Sequence, residues 1–234
     1  MILDKVEKQK YRHELKYVCT EAQLALLQAR IHHLIPLDKH VGDSGMYQIR
    51  SLYFDDYYNR CYYENENGTD PREKFRIRIY NGSTDKISLE LKKKERGKTL
   101  KLSCPLTEEQ CRTLMKGEPL PDSPDYHPVL QKLLLLMKTT MMKPKIIVEY
   151  DRVPYVYKLG NVRITLDKNI SSCNKLETFL DKEINKRPIM PAGQHVLEVK
   201  FDEFLPDYIY QVLQLDSLRQ TAFSKFYLCR KHAL

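Results

Sequence analysis

Lys74-Phe75-Arg76-Ile77-Arg78-Ile79, with Leu89-Glu90-Leu91-Lys92-Lys93-Lys94 after it, carries an alternation of charged and apolar side chains. In an extended strand successive side chains point to opposite faces. Lys74, Arg76 and Arg78 therefore share one face, with Phe75, Ile77 and Ile79 on the other. Glu90, Lys92 and Lys94 stand in the same way against Leu89 and Leu91. One such strand is an ordinary amphipathic strand with a wet side; a recurring pattern says more.

The pattern does recur. Glu14 and Lys16 share a face in His13-Glu14-Leu15-Lys16-Tyr17, as do Tyr150 and Arg152 in Val148-Glu149-Tyr150-Asp151-Arg152. Arg163, Thr165 and Asp167 oppose three aliphatics in Val162-Arg163-Ile164-Thr165-Leu166-Asp167, and Glu198 and Lys200 oppose Leu197, Val199 and Phe201. Closing such strands into a barrel removes exposed sheet edges. With the charged faces inward the barrel is a basic tunnel holding a few acids; with them outward the chain is an ordinary basic protein.

Turn signals divide these strands: Asn81-Gly82, Arg96-Gly97 and Leu159-Gly160-Asn161. Asn81-Gly82 before Ser83 predicts a hairpin that makes the Arg and Lys ladders antiparallel neighbours. Thr20 is the expected cap of a helix from Glu21 to about Leu34, with Gln23 completing a capping box and Leu24, Leu27, Ile31 and Leu34 forming its buried stripe. Thr107 caps a short helix ending near Gly117, and His127-Pro128 opens another reaching about Met141. Pro206 starts a helix containing Tyr208, Ile209, Val212, Leu213 and Leu215. Strands dominate both ends with helices between them, which predicts an α+β fold in a single domain, residues 1–234.

Composition narrows the partners. Lys and Arg total 39 against 31 acids, a net charge of +8, which favours anionic partners such as nucleic acid, phosphate polymers or an acidic membrane surface. The 16 tyrosines fit half-buried strand positions. The six cysteines, Cys19, Cys61, Cys104, Cys111, Cys173 and Cys229, form no C-x-x-C pair and predict free thiols in a reducing compartment rather than a zinc site. Met1 to Lys10 is charged without an apolar core, and the aliphatic run Leu133 to Met137 is too short to span a bilayer, so the expectation is a cytoplasmic protein with no transmembrane segment. No RNP motif, zinc finger or basic recognition helix occurs, so nucleic acid is not the expected partner. The histidines, His195 included, are expected at the surface.

No Gly-rich phosphate loop, G-x-S-x-G or H-E-x-x-H occurs, and with eight glycines a backbone phosphate cradle is not expected. Any bound phosphate is held by side chains: Arg as a bidentate fork, Lys as a point charge. A divalent metal bridging phosphates needs at least one carboxylate. Glu198, mid-strand beside Lys200, is the first choice, with Glu14 and Glu90 behind it; pairing with a neighbouring cation is the competing role for each.

The ordered series Arg12-His13-Glu14-Leu15-Lys16-Tyr17, Ser51-Leu52-Tyr53-Phe54-Asp55, Arg72 through Gly82, Leu89 through Lys94, Tyr150-Asp151-Arg152, Arg163 through Asp167, Leu197-Glu198-Val199-Lys200 and Phe223-Ser224-Lys225-Phe226 resembles the VTC domain. That is the polyphosphate polymerase domain of the vacuolar transporter chaperone, within the CYTH-like triphosphate tunnel metalloenzymes. The resemblance implies a closed, mainly antiparallel β-barrel forming a tunnel, with helices packed outside. It implies a nucleoside triphosphate, ATP, and Mn2+ or Mg2+ in the tunnel, with the γ-phosphate passing to an inorganic polyphosphate or pyrophosphate acceptor. Carried over by position, Arg76, Arg78, Lys92, Arg152 and Lys225 act on the reacting phosphates, and Lys16 joins them in gripping phosphate. Tyr150 and Ser224 add hydrogen bonds, Lys94 is a further contact, and Glu198 holds the metal; Lys98, Lys101 and Lys200 are further tunnel candidates.

Two positions depart from the resemblance. The E-x-E-x-K start of the hydrolytic relatives is Arg12-x-Glu14-x-Lys16 here, which removes an acid and disfavours a two-metal hydrolase. Ala222 stands where some relatives have Lys. The alternatives are a tunnel-fold triphosphatase or ATP hydrolase, and a non-catalytic polyphosphate- or nucleotide-binding module. Export of a polymer would require a separate membrane partner.

Overall fold

The computed structural model describes residues 10–214 and 218–233. Its strands are β1 (His13–Thr20), β2 (Tyr47–Asp55), β3 (Arg72–Tyr80), β4 (Ser83–Glu95), β5 (Lys98–Leu106), β6 (Lys143–Tyr157), β7 (Val162–Cys173), β8 (Arg187–Pro188) and β9 (Gln194–Phe201). They form one antiparallel sheet in the order β1-β9-β7-β6-β2-β3-β4-β5, with the short β8 beside β7. The helices are α1 (Glu21–His32), α2 (Arg60–Glu66), α3 (Glu108–Met115), α4 (Pro128–Thr140), α5 (Asp207–Leu213) and α6 (Lys225–Lys231).

The hairpin between the two ladders forms as the sequence predicts. Asn81 and Gly82 take φ of 51° and 64°, the left-handed pair that a two-residue turn with matching twist requires. Lys74 then faces Lys92, and Arg76 faces Glu90. Arg96 and Gly97 repeat the device between β4 and β5, at φ of 50° and 74°.

The sheet curls so that its apolar faces point outward, under helices. Phe75, Ile77, Leu89 and Leu91 pack with Cys111 and Leu114 of α3 and Leu130, Leu133 and Met137 of α4. Leu166, Leu197 and Val199 pack with Leu24, Leu27 and Ile31 of α1 and Ile209 and Leu213 of α5. The charged faces are thereby concave. A third apolar cluster joins Phe226 and Cys229 of α6 to Tyr53, Ile146, Val148 and Tyr150 on that concave side.

The sheet is a curled half-barrel rather than the closed barrel expected from the sequence. Between its outer strands there is one bridge, Arg12–Thr99, whose two backbone hydrogen bonds are 2.9 Å each. Beyond it the edge of β1 meets the segment leading to α6: Tyr17 bridges Gln220, and Thr221 N donates to the Lys16 carbonyl at 2.9 Å. Among the described residues no side-by-side ladder joins β1 to β5, because β5 begins at Lys98 just after the Arg96-Gly97 turn, and the antiparallel register from Arg12–Thr99 carries β1 past that start.

The capping boxes at Thr20–Gln23 and Thr107–Gln110 are both formed. Three expectations need correction. Helix α1 stops at His32, and Leu34 is 45% exposed instead of completing the buried stripe. The C-terminal part is helical, not strand-rich: α5 forms after Pro206 as expected, but α6 follows it unanticipated, as was α2, since such seven-residue helices without a Pro signal carry too few periodic positions to stand out. His195 is buried at 5% exposure, its Nε2 against the Glu21 carboxylate at the start of α1. Leu215, expected in α5, lies outside the described residues, as does most of Met1 to Lys10. All six cysteines are free thiols in the interior.

Candidate functional site

The concave face encloses a cavity of about 560 Å³. Ten cationic and three acidic side chains line it, so an anion of several charges is its natural occupant. Strand alternation delivers most of them: Arg72, Lys74, Arg76 and Arg78 from β3, Lys92 and Lys94 from β4, Arg152 from β6, Glu198 and Lys200 from β9.

Four carboxylates organise seven of these cations. Glu90, only 2% exposed, takes Arg76 at 2.6 Å, Arg78 at 3.5 Å and Lys101 at 3.0 Å. Asp167, fully buried, receives Arg152 through two hydrogen bonds of 2.6 and 2.8 Å and Lys225 at 2.5 Å. Glu14 holds Lys16 at 3.1 Å and Lys92 at 2.8 Å, and accepts from Thr99 Oγ1 at 3.0 Å. Glu198 meets Lys200 at 3.1 Å, Arg152 at 3.3 Å and Lys16 at 3.6 Å.

These pairings keep the acids ionised against burial. Desolvation pushes the Glu14 carboxyl up, but Lys16 and Lys92 bring it down to about 2. Glu198 is opposed by burial too, and Lys200, with Lys16 and Lys225, holds it well below the usual carboxylate range. Arg76 and Arg152 gain from their acids more than burial removes. Lys74 behaves differently: burial first, then Arg72, Lys92 and Lys16, depress its amine from 10.5 to about 7, and no carboxylate among the described residues forms an ion pair with it. Lys92 falls to about 8, burial outweighing Glu14.

Aromatic and hydroxyl groups complete the walls. Arg76 donates to Tyr53 Oη at 2.8 Å, and Arg78 to Tyr150 Oη at 3.4 Å. The Tyr150 ring lies under Lys225 Nζ at 4.8 Å and the Arg152 guanidinium at 5.3 Å, a cation–π arrangement. Ser224 caps α6 by accepting from Tyr227 N at 3.3 Å and accepts from Lys74 at the same distance.

Of the residues singled out from the sequence, Lys16, Arg76, Arg78, Lys92, Lys94, Tyr150, Arg152, Glu198, Lys200, Ser224 and Lys225 all line this one cavity. Lys98 does not: it is exposed, and alternation along β5 turns Thr99 inward instead. Lys101 is half exposed and spends its charge on Glu90 outside the lining. Arg12 adds no charge to the cavity, since it pairs with Asp202 at 2.8 Å. Arg72, Lys74, Tyr53 and the anchor Asp167 were missed as site residues. Arg72 and Lys74 only needed the Arg ladder followed to its start; Asp167 has no local signal, since its partners come from β6 and α6.

No group of three or more His, Cys, Asp or Glu side chains able to hold a metal occurs among the described residues. The donors present are the carboxylates of Glu14 and Glu198, which share Lys16, and beside Glu198 in register the buried Thr165 Oγ1, which has no hydrogen-bond partner among the described residues. Two ionised carboxylates fit a hard divalent cation that completes its shell with water and phosphate oxygens.

A curled antiparallel sheet with helices outside thus holds a cation-lined concave cavity. The chain belongs to the VTC-domain family, whose model matches residues 11–233. A putative adenylate cyclase from Bacillus halodurans superposes with a TM-score of 0.52 at 13% identity, covering 88% of this chain and 87% of that one. A putative adenylyl cyclase from Hippeastrum, described as having a dominant triphosphatase activity, superposes with a TM-score of 0.53 at 13% identity over 95% of this chain and 96% of that one. At such identity the likeness carries the fold alone. A search among curated proteins finds no match.

Proposed function

We propose that this chain, acting as one domain over residues 1–234, is a metal-dependent polyphosphate polymerase that transfers the γ-phosphoryl group of ATP to the end of an inorganic polyphosphate or pyrophosphate chain. The observation that carries the reading is the convergence of Arg76, Arg78, Lys92, Arg152 and Lys225 on one cavity together with the ionised pair Glu14 and Glu198. On this reading the half-barrel acts as a tunnel, completed along the β1 edge by residues 220–224.

A terminal oxygen of the acceptor, already ionised at neutral pH, forms the new P–O bond. The bond from the γ-phosphorus to the β–γ bridging oxygen breaks, and ADP leaves with the electron pair. No protein base is needed, which fits a site whose carboxylates are engaged by cations. Arg76 and Arg78 are anchored by Glu90, and Arg152 and Lys225 by Asp167, so their charges face the phosphates without reorganisation. Lys16 and Lys92 exchange part of their contact with Glu14 for phosphate oxygens. Tyr150 and Ser224 orient cations and donate hydrogen bonds. Glu198 and Glu14 would hold Mn2+ or Mg2+, which supplies neutralisation of charge across phosphate oxygens. Loss of one anchored Arg contact costs about 2–4 kcal/mol in the transition state.

No helix among the described residues is long and apolar enough to cross a membrane, and a cytoplasmic site with a separate membrane partner for export goes with this reading. The test is incubation with ATP and Mn2+ while following ADP, free phosphate and long-chain polyphosphate, beside Glu198→Ala and Arg76→Ala. ADP matched by polymer, both lost in the variants, is the expected result. ADP matched by free phosphate makes the protein a hydrolase, and polyphosphate binding without nucleotide consumption makes it a binding module.

A further inference from the structure

The positive charge of the cavity is not evenly compensated. Seven of its ten cations pair with a buried carboxylate, while Arg72, Lys74 and Lys94 form no ion pair among the described residues. The three stand together. Arg72 faces Lys94 directly across β3 and β4, and Lys74 occupies the next inward position on β3, facing Lys92. Like charges opposite one another in a ladder destabilise the fold, so this arrangement has a cost that no direct ion pair among the described residues offsets.

Neutral groups hold the cluster in place. Lys74 Nζ donates to Asn65 Oδ1 at 2.6 Å and Ser224 Oγ at 3.3 Å and sits 4.9 Å from the Phe226 ring centre; Arg72 donates to the Thr69 carbonyl at 2.7 Å. Gly68 and Gly97 line the same end, and nothing lies within 4 Å of where a Cβ would stand on either. The backbone there is clear of obstruction, and the acids at this end are engaged by other groups: Glu66 accepts from Tyr227 Oη at 3.2 Å, and Asp70 from the amides of Arg96 and Gly97 at 3.1 and 3.3 Å. Glu14 and Glu198 join Lys16 and Lys200, and Asp167 joins Arg152 and Lys225.

We infer that Arg72, Lys74 and Lys94 form a separate subsite for a condensed phosphate chain, taking the phosphates remote from the reacting one, so that the polymer runs out of the cavity between β3, the β4–β5 turn and α2. The inference rests on the reading that the cavity binds condensed phosphate and adds the direction in which the chain lies. Unpaired cations suit a ligand whose every phosphate carries charge, whereas the carboxylate-bearing end suits a metal-bound triphosphate. The depressed Lys74 and Lys94 amines, shifted by burial and then by Arg72, agree with a site whose counter-charge is supplied by its ligand.

The test compares sodium tripolyphosphate with a linear polyphosphate several times longer by titration calorimetry. The proteins are the wild type, Arg72→Gln, Lys94→Gln and the double variant. The wild type binds the longer chain more tightly. Each substitution reduces that advantage roughly tenfold, the worth of a charge-assisted contact, with a smaller loss for tripolyphosphate. Melting temperatures hold or rise, because like charges have been removed. Equal losses for both ligands, or an undiminished long-chain advantage in the double variant, overturn the subsite. Failure of the wild type to bind either anion overturns the underlying reading, and the subsite with it.

Discussion

Binding of a phosphate polyanion should draw a proton onto Lys74. In the free protein its amine is lowered from 10.5 to about 7 by burial and by Arg72, Lys92 and Lys16, with no ion-paired carboxylate among the described residues to restore it. A phosphate beside Nζ supplies the missing counter-charge and returns the amine to its ordinary range. At pH 8 roughly a tenth of free molecules carry the Lys74 charge, so complete charging takes up about 0.9 proton. Above neutrality each pH unit costs about 1.4 kcal/mol of affinity through this group, tenfold in Kd, until the ordinary lysine range is reached. The assay is calorimetric titration with tripolyphosphate at pH 8 in buffers of different ionisation enthalpy, on wild type and Lys74→Met. Proton exchange by the ligand itself is common to both proteins and cancels in the difference, while Lys92, opposite Lys74, is relieved of a like charge by the substitution and takes up less, which only widens the difference. A difference near zero refutes the argument that Lys74 is held uncompensated. The same shift fixes a sign for stability: a lysine depressed in the fold destabilises it fully below about pH 7, and the penalty fades as pH rises to 10.5. Lys74→Met should therefore stabilise the free protein at pH 7, by about 2 kcal/mol once solvent screening at the mouth and two lost hydrogen bonds are allowed for.

Three further outcomes are expected. Arg50, 1% exposed, is held by Glu149 at 2.5 Å and donates to the Phe179 carbonyl at 2.9 Å, so Glu149→Ala leaves a buried unpaired cation and costs about 3–5 kcal/mol in urea denaturation at constant m-value. Glu14, lowered from 4.5 to about 2, contributes stability that is present above pH 4.5 and is lost as pH falls through 2; Glu14→Gln should flatten acid unfolding in that window by up to about 3 kcal/mol. Asp167→Asn frees Arg152 and Lys225 while making the cavity more positive. Turnover should fall roughly a hundredfold with tripolyphosphate binding undiminished, and equal loss of both would deny Asp167 a positioning role.

Much of the site was legible along the chain because strand alternation is a local property. The charged faces of β1, β3, β4, β6, β7 and β9, the hairpin at Asn81-Gly82 and the caps at Thr20 and Thr107 follow from the covalent geometry of a few neighbouring residues. Their order also matched a known family, which brought Ser224 and Lys225 into the site although α6 was not foreseen.

Tertiary structure decided what alternation leaves open. It turned the charged faces inward, because the apolar faces were the ones α1, α3, α4 and α5 could cover. It ended the contact between β1 and β5 at Arg12–Thr99, and it excluded Lys98 by register. It buried His195, which nothing in its neighbours' sequence signals. Above all it assigned counter-ions: Glu90 to Arg76, Arg78 and Lys101, Asp167 to Arg152 and Lys225, and none among the described residues to Arg72, Lys74 or Lys94. Side-chain period is set by the backbone of each strand, whereas the pairing of charges depends on which strands and helices meet across the cavity, a long-range outcome of packing the whole chain.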